Sequence, residues 1–201
     1  MWEKLFLYDE ISDLDTVPAL KLTCFPYAKA AWRPLCQLVC CAAKNDGIYF
    51  RFKPFEANPK KGESGILSGS ALTVALGFKD KCDVLYVSAD GYGNLEYKTL
   101  ENKKLSCPPI LGKTALGGDQ QGDYFSLYIK IPFETLDEIF SVSSLSEGNQ
   151  ILFNAFYTIL ENNSGYTEHF AALFDNGKSV SPLEKIYDKD NLNVLTAVEF
   201  Y

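Results

Sequence analysis

The sequence predicts an all-β protein, a single antiparallel β-sandwich with one short amphipathic helix, formed by residues 1–201 as one domain. Three observations carry this. The segment Asp123 to Ile131 alternates without a break, with Phe125, Leu127, Ile129 and Ile131 on one face and Tyr124, Ser126, Tyr128 and Lys130 on the other. That is the two-residue period of a half-buried strand. Turn signals at Asp46-Gly47, Lys79-Asp80-Lys81 and Asp90-Gly-Tyr-Gly-Asn94 separate further short apolar runs. A chain of 201 residues that is 47% hydrophobic can bury one sizeable core, and sandwiches of this length commonly form one domain.

Taken in order, the run Leu35 to Ala43 is the hairpin partner of the strand after Asp46-Gly47, where Ile48, Phe50 and Phe52 alternate with Tyr49, Arg51 and Lys53. Ser70 to Phe78 and Cys82 to Ser88 flank a polar turn and form a second hairpin, and the turn at Asp90–Asn94 leads into Leu95-Glu-Tyr97. From Glu101 to Gly122 the chain is rich in Gly, Pro and Lys and shows no period, which predicts a long loop. Pro132 to Phe140 places Phe133, Leu136, Ile139 and Phe140 at helical spacing behind a first-turn proline, so it is the short helix. Ile151 to Leu160 is apolar on both faces except at Asn154 and Thr158, as expected of a strand in the middle of a sandwich. Glu168 to Phe174 and Val194 to Tyr201 complete the strands.

Charge and composition exclude several functions. A net charge of -7 with no basic cluster beyond Lys60-Lys61 and Lys103-Lys104 argues against a nucleic-acid or anionic-membrane surface. No stretch is apolar for long enough to span a bilayer, and Met1–Glu10 lacks the apolar core of a secretory leader. The expected location is therefore cytoplasmic as written, or extracellular if an upstream leader was removed. Of the six cysteines, Cys36, Cys40 and Cys41 sit inside the apolar run Pro34 to Ala43 and read as small buried hydrophobes with reduced thiols. With no CxxC pair and a single histidine, no metal site is expected, and Met1 as the sole methionine offers no axial pair for a haem. No cofactor is expected. Asn162-Asn163-Ser164 has the form of a glycosylation sequon and reads as a turn.

Enzymatic readings fail on the same inspection. No Gly-x-Ser-x-Gly elbow accompanies His169, and Asp137 and Glu138 are adjacent on the short helix and point different ways. Gly117-Gly118 and Gly62 to Gly69 lack the residues of a phosphate-binding loop.

The order of blocks resembles the carbohydrate-binding module family 9-like domains, part of the DOMON-like β-sandwich group. Gly47-Ile-Tyr-Phe-Arg-Phe52 is similar to the family's Gly-Leu-Tyr-Val-Arg-Phe strand, reached through the same Asp-Gly turn. Tyr86 to Gly93 stands where the family has a strand ending in Asn-Pro-x-Gly, with Asp90 and Gly93 matching. Tyr124 to Phe133 followed by Leu136 resembles Trp-x-x-Glu-Ala-x-Ile-Pro-Phe-x-x-Leu, Phe153 to Tyr157 resembles Phe-Asn-Phe-Tyr, and His169-Phe170 resembles the start of His-Tyr-x-x-Trp. Ser70 and Thr73 stand in place of an expected acidic pair, Tyr124 in place of an indole, and Leu173 and Phe174 near an expected tryptophan.

The resemblance implies recognition of a sugar or polyol, with aromatic rings stacked on the apolar C–H face of the pyranose and polar side chains bonding its hydroxyls. The candidate platforms are Tyr86, Tyr92 and Phe174, and the candidate polar contacts are Arg51, Asn154 and His169. Each has a structural alternative. Tyrosines on alternating strands also make the half-exposed face of a sheet, Arg51 also suits a cross-strand carboxylate, and His169 also suits a strand-to-loop tie. An amide such as Asn154 in an apolar strand must find partners of some kind. The function expected is a non-catalytic carbohydrate-binding module. Its alternative is a sandwich that has lost the sugar site and serves as a protein-interaction or oligomerisation module, so the partners left open are a carbohydrate and a protein.

Overall fold

The computed structural model describes residues 3–11, 13–24, 36–56, 58–112, 115–119, 122–160, 167–174, 176 and 182–199. Among these residues thirteen strands follow one another: β1 (Glu3–Tyr8), β2 (Ala19–Cys24), β3 (Cys36–Ala43), β4 (Gly47–Pro54), β5 (Ser70–Phe78), β6 (Val84–Asp90), β7 (Leu95–Thr99), β8 (Ile110–Leu111), β9 (Ala115–Asp119), β10 (Gly122–Pro132), β11 (Gln150–Leu160), β12 (Thr167–Ala172) and β13 (Asn193–Glu199). Two helices, α1 (Phe133–Phe140) and α2 (Pro182–Tyr187), join them. No helix among the described residues is long and apolar enough to cross a membrane.

The hydrogen-bonded order β7-β6-β5-β11-β12-β2-β3-β4-β10-β8 folds back on itself as two layers, with the β12–β2 pair as the seam. We refer to β7-β6-β5-β11-β12 as the first layer and β2-β3-β4-β10-β8 as the second. β1 ties the two together, pairing in parallel with both β13 and β3, while β13 also pairs with β11. Every other pairing is antiparallel. The inward residues of both layers form one core, and Phe50 of β4 stacks on Phe153 of β11 with ring centroids 5.4 Å apart and planes 11° from parallel.

The predicted hairpins form where the turn chemistry places them. Gly47 begins β4 against the end of β10, where a Cβ would lie 2.4 Å from the Ile131 carbonyl oxygen, so only glycine fits. Asp90 organises the next turn through both carboxylate oxygens. Oδ1 accepts from the backbone N–H groups of Tyr92 (2.9 Å) and Asn94 (3.0 Å), and Oδ2 accepts from the Asn94 amide at 2.8 Å. In α1 the buried residues include Phe133, Leu136, Ile139 and Phe140, as the spacing requires, and Phe140 closes one end of the core against Phe78 with centroids 5.1 Å apart.

The structure corrects the expectation of a featureless loop from Glu101 to Gly122. Two short strands, β8 and β9, pair with β10 there. A two-residue strand has no period to display, and β9 carries Gly117 and Gly118 in place of patterned side chains. The Tyr124 ring lies so close to Gly117 that an added Cβ would sit 2.7 Å from its hydroxyl end. Before residue 35, where the sequence pattern assigns no element, β1 and β2 are present, with Leu5, Leu7 and Leu22 in the core. The second helix, α2, spans six residues and is too short for a periodic signal. The turn at Asn162–Ser164 and the end of the final strand at Phe200 and Tyr201 lie outside the described residues.

Cys36, Cys40, Cys41, Cys82 and Cys107 are free thiols, the first three buried and Cys82 exposed. Burial pushes the Cys36 thiol up and raises that of Cys41 from 9.0 to about 12. The Tyr157 hydroxyl, which donates to Glu56, is raised by burial and by that carboxylate. In each case the folded state disfavours the anion. The stabilisation is thus complete below the ordinary ionisation range of these groups and is lost as pH rises through the raised values. The urea midpoint should hold level to about pH 9 and then fall steadily toward pH 12. Among these five thiols, Cys82 should react first with an aromatic disulfide reagent under native conditions, with Cys36 and Cys41 silent until the protein unfolds.

Candidate functional site

The outward face of the first layer is where buried polar residues collect. Register places Asn154, Ala75, Tyr86 and Lys98 in one row across β11, β5, β6 and β7, and Phe156, Thr73, Ser88 and Glu96 in the next. Part of this face is roofed by α2, whose Ile186 joins Ala75, Val84, Tyr86, Phe156, Phe170 and Ala172 in a second small core, with Leu67 and Leu192 against it. Where the roof ends, toward β7, two neighbouring cavities open. One of about 360 Å³ is lined by Tyr86, Ser88, Glu96, Tyr97, Lys98 and Tyr187. The other, of about 420 Å³, lies between Gly62, Gly65 and Ile66 and the turn residues Asp90, Gly93, Asn94, Leu95 and Glu96. Glu96 borders both.

In the first of these cavities Tyr187 presents its ring. It is 39% exposed, meets Tyr86 edge-on with centroids 5.1 Å apart, and lies beneath the Lys98 ammonium at 5.2 Å from its centroid. The Tyr86 hydroxyl donates to the Tyr187 carbonyl oxygen at 3.2 Å. Burial, with Asp188 adding to it, raises Tyr86 from 10.0 to about 12, and burial with Glu96 raises Tyr187. Both phenols therefore keep their protons at neutral pH. The arrangement offers one apolar ring face, a carboxylate that accepts, an ammonium that donates, and the Ser88 hydroxyl, whose oxygen lies 2.9 Å from that of Thr73.

The structure brings some of the sequence candidates together and separates others. Tyr86 lines the cavity but is only 2% exposed, so its ring is not an open platform for a ligand. Tyr92 projects from the turn beside the second cavity, 53% exposed, its hydroxyl donating to the Pro59 carbonyl at 2.6 Å and Lys61 at 6.0 Å from its ring. Asn154 is fully buried and has found its partners. Nδ2 donates to the carbonyl oxygens of Phe174 (2.8 Å) and Asn191 (2.6 Å), and Oδ1 accepts from the N–H groups of Ala155 (2.8 Å) and Phe174 (3.1 Å). Phe174, half-buried, is thereby stitched to the strand through its backbone.

Arg51 lies on the other layer, facing outward, where it pairs with Asp15 and stands opposite Tyr128. It is remote from the first-layer face because the two layers turn their outward faces to opposite sides. The His169 backbone pairs with Ile159, and its side chain is outside the described residues. Ser88, Glu96, Lys98 and Tyr187 are site residues absent from the sequence candidates. The alternation of Leu95-Glu-Tyr-Lys-Thr99 did signal that Glu96 and Lys98 share a face, whereas Tyr187 belongs to the helix too short to be seen. At Ser70, where the family resemblance led us to expect acid, a carboxylate arrives from the chain after β4, for the Ser70 hydroxyl donates to Glu56 Oε1 at 2.9 Å.

A larger cavity, about 600 Å³, lies at the end of the sandwich between residues 78–81 and residues 141–150. Its one aromatic, Phe78, is buried against Phe140 and offers no ring to a ligand.

No protein-family model and no curated protein matches the sequence. Solved structures do. A family 9 carbohydrate-binding module from Caldicellulosiruptor kristjanssonii in complex with cellotriose superposes with a TM-score of 0.66 at 10% identity, covering 99% of this chain and 95% of that one. The module from the same organism in complex with glucose gives 0.66 at 10% identity, covering 99% and 97%. A protein from Bacteroides uniformis described as carbohydrate-binding gives 0.63 at 11% identity, covering 98% and 97%. Architecture and comparison together define a two-layer β-sandwich with the architecture seen in these modules. In particular, the chain has the fold of the family 9 modules over nearly its whole length.

Proposed function

We propose that this chain is a non-catalytic carbohydrate-binding domain that takes a sugar or polyol into the cavity bounded by Tyr187, Tyr86, Ser88, Glu96 and Lys98. The observation that carries the reading is the half-exposed Tyr187 ring beside a carboxylate and an ammonium. A pyranose needs one apolar surface for its C–H face and both acceptors and donors for its hydroxyls, and the cavity offers each. The fold supports it, since structures of the same architecture hold glucose and cellotriose. Tyr92, at the rim of the adjoining cavity, supplies a second ring for a longer ligand. Asn154 and Phe174 act as positioning residues, holding the segment before α2 against the sheet.

The test is a thermal-shift and calorimetric titration with glucose and cellotriose, because a ligand that binds only the native state raises Tm by mass action. Tyr187→Ala should weaken any binding about tenfold, the cost of a lost stacking surface, while Arg51→Ala should leave it unchanged. Binding that persists undiminished in Tyr187→Ala would remove the cavity from consideration.

A further inference from the structure

The cavity of about 600 Å³ at the end of the sandwich has no open aromatic ring, and its walls carry a different chemistry from that around Tyr187. One wall is the turn between β5 and β6, where Lys79 and Lys81 flank Asp80. The other is the segment that follows α1, with the hydroxyls of Ser141, Ser143 and Ser144, and Asn149 closes the space before β11. Two ammonium groups against one carboxylate leave a positive excess here, on a chain whose net charge is -7.

These walls supply donors that the protein itself leaves unused. Among the described residues the hydroxyls of Ser141, Ser143 and Ser144 bond to no other residue, and neither do the N–H groups of Val142, Ser143 and Ser144. The Asn149 Oδ1 accepts from the Ser146 N–H at 2.9 Å and from the Ser146 hydroxyl at 3.3 Å, so its NH2 group remains to donate. Lys79 makes only a long contact, 3.4 Å, to Gln150 Oε1. The carbonyls at the end of α1, which would repel an anion, are engaged. That of Asp137 accepts from the Ser141 N–H at 2.9 Å, and that of Ile139 from the Lys103 ammonium at 3.3 Å.

Ser141 adds a second observation. It caps α1 in the left-handed region, at φ 57° and ψ 45°, a position that favours glycine. A serine held there carries backbone strain that glycine would not, and what it contributes in exchange is a hydroxyl at the cavity.

We propose that this cavity binds a phosphate or sulfate monoester, the oxyanion held between Lys79 and Lys81 on one side and the hydroxyl and N–H groups of residues 141–144 on the other. A carboxylate offers too few oxygens for the donors gathered here. A phosphate or sulfate ester presents three terminal oxygens and at least one negative charge, and the remaining volume accommodates the group that bears it.

Calorimetric titration of the full chain with glucose 6-phosphate, glucose 6-sulfate and glucose tests this. At least one ester should bind with an affinity that falls as salt is added, and the tighter of the two identifies the source of the oxyanion. Lys79→Met/Lys81→Met replaces two exposed side chains in a turn, and should weaken the ester by about tenfold or more while leaving Tm unchanged. Ser141→Gly should raise Tm by relieving the left-handed backbone and yet weaken the ester severalfold, a split that a merely structural role for Ser141 would not produce. No heat from either ester at millimolar concentration, or an ester affinity indifferent to the lysine pair, would overturn the proposal. So would ester binding abolished by Tyr187→Ala, which would place the ligand in the other cavity. Glucose reads that other cavity separately, so either proposal can fail while the other stands.

Discussion

Replacing Phe153 by alanine should cost roughly 3–5 kcal/mol of folding stability and lower Tm by on the order of 10 °C. The ring is fully buried and is the contact through which β11 in one layer stacks on Phe50 of β4 in the other. Truncation loses both the transfer free energy of a phenyl group and the dispersion contacts of the walls left around the void, which a two-layer core cannot close without moving a strand. Chemical denaturation of Phe153→Ala, Phe50→Ala and the double variant gives the coupling directly. It should lie near 0.5–1.5 kcal/mol, the range for aromatic pairs beyond simple burial. A loss under about 1 kcal/mol for the single variant would mean that the layers are not held at this point.

The next residue along the same strand predicts an equally large effect by a different mechanism. Asn154→Ala leaves two carbonyl oxygens, of Phe174 and Asn191, and two N–H groups, of Ala155 and Phe174, without the partner they now share. Each buried group stranded in this way costs about 1–3 kcal/mol when no water reaches it, and partial relaxation keeps the sum nearer 3 than the additive limit. Asn154→Asp should be worse than alanine, because a carboxylate would face two carbonyl oxygens with no proton to give. Besides the fall in denaturation midpoint, amide exchange at Ala155 and Phe174 should accelerate in either variant, a readout that a general loss of packing would not confine to those two sites. Unchanged exchange there would show that the network does not hold the 174 segment.

Phe153 and Asn154 also show how far the sequence could be read. That β11 is a two-faced central strand followed from its composition, and that Asn154 would need partners followed from the chemistry of a buried amide. Which partners it found did not follow, because Phe174 and Asn191 reach it only through the path of the chain around α2. The same division holds at the site. The alternation in Leu95–Thr99 put Glu96 and Lys98 on one face, but nothing local brought Tyr187 over them. Arg51 and Tyr86 look equally suited to a ligand in a linear reading. They part company because consecutive hairpins were laid into different layers.

The sequence by itself determined the strand segments with a clear two-residue period, the turns that join them and the apolar face of α1, since all of these are set by residues near one another along the chain. It determined too, through the order of its motifs, the resemblance that the fold shares with family 9 modules. Only the tertiary structure decided that β1 lies in parallel between β3 and β13, that β12 meets β2 at the seam, and that a short helix roofs one outward face and leaves a cavity at its rim. Those are pairings between distant parts of the chain, chosen by the burial of both faces at once, and a pattern of neighbours along the chain carries no record of them.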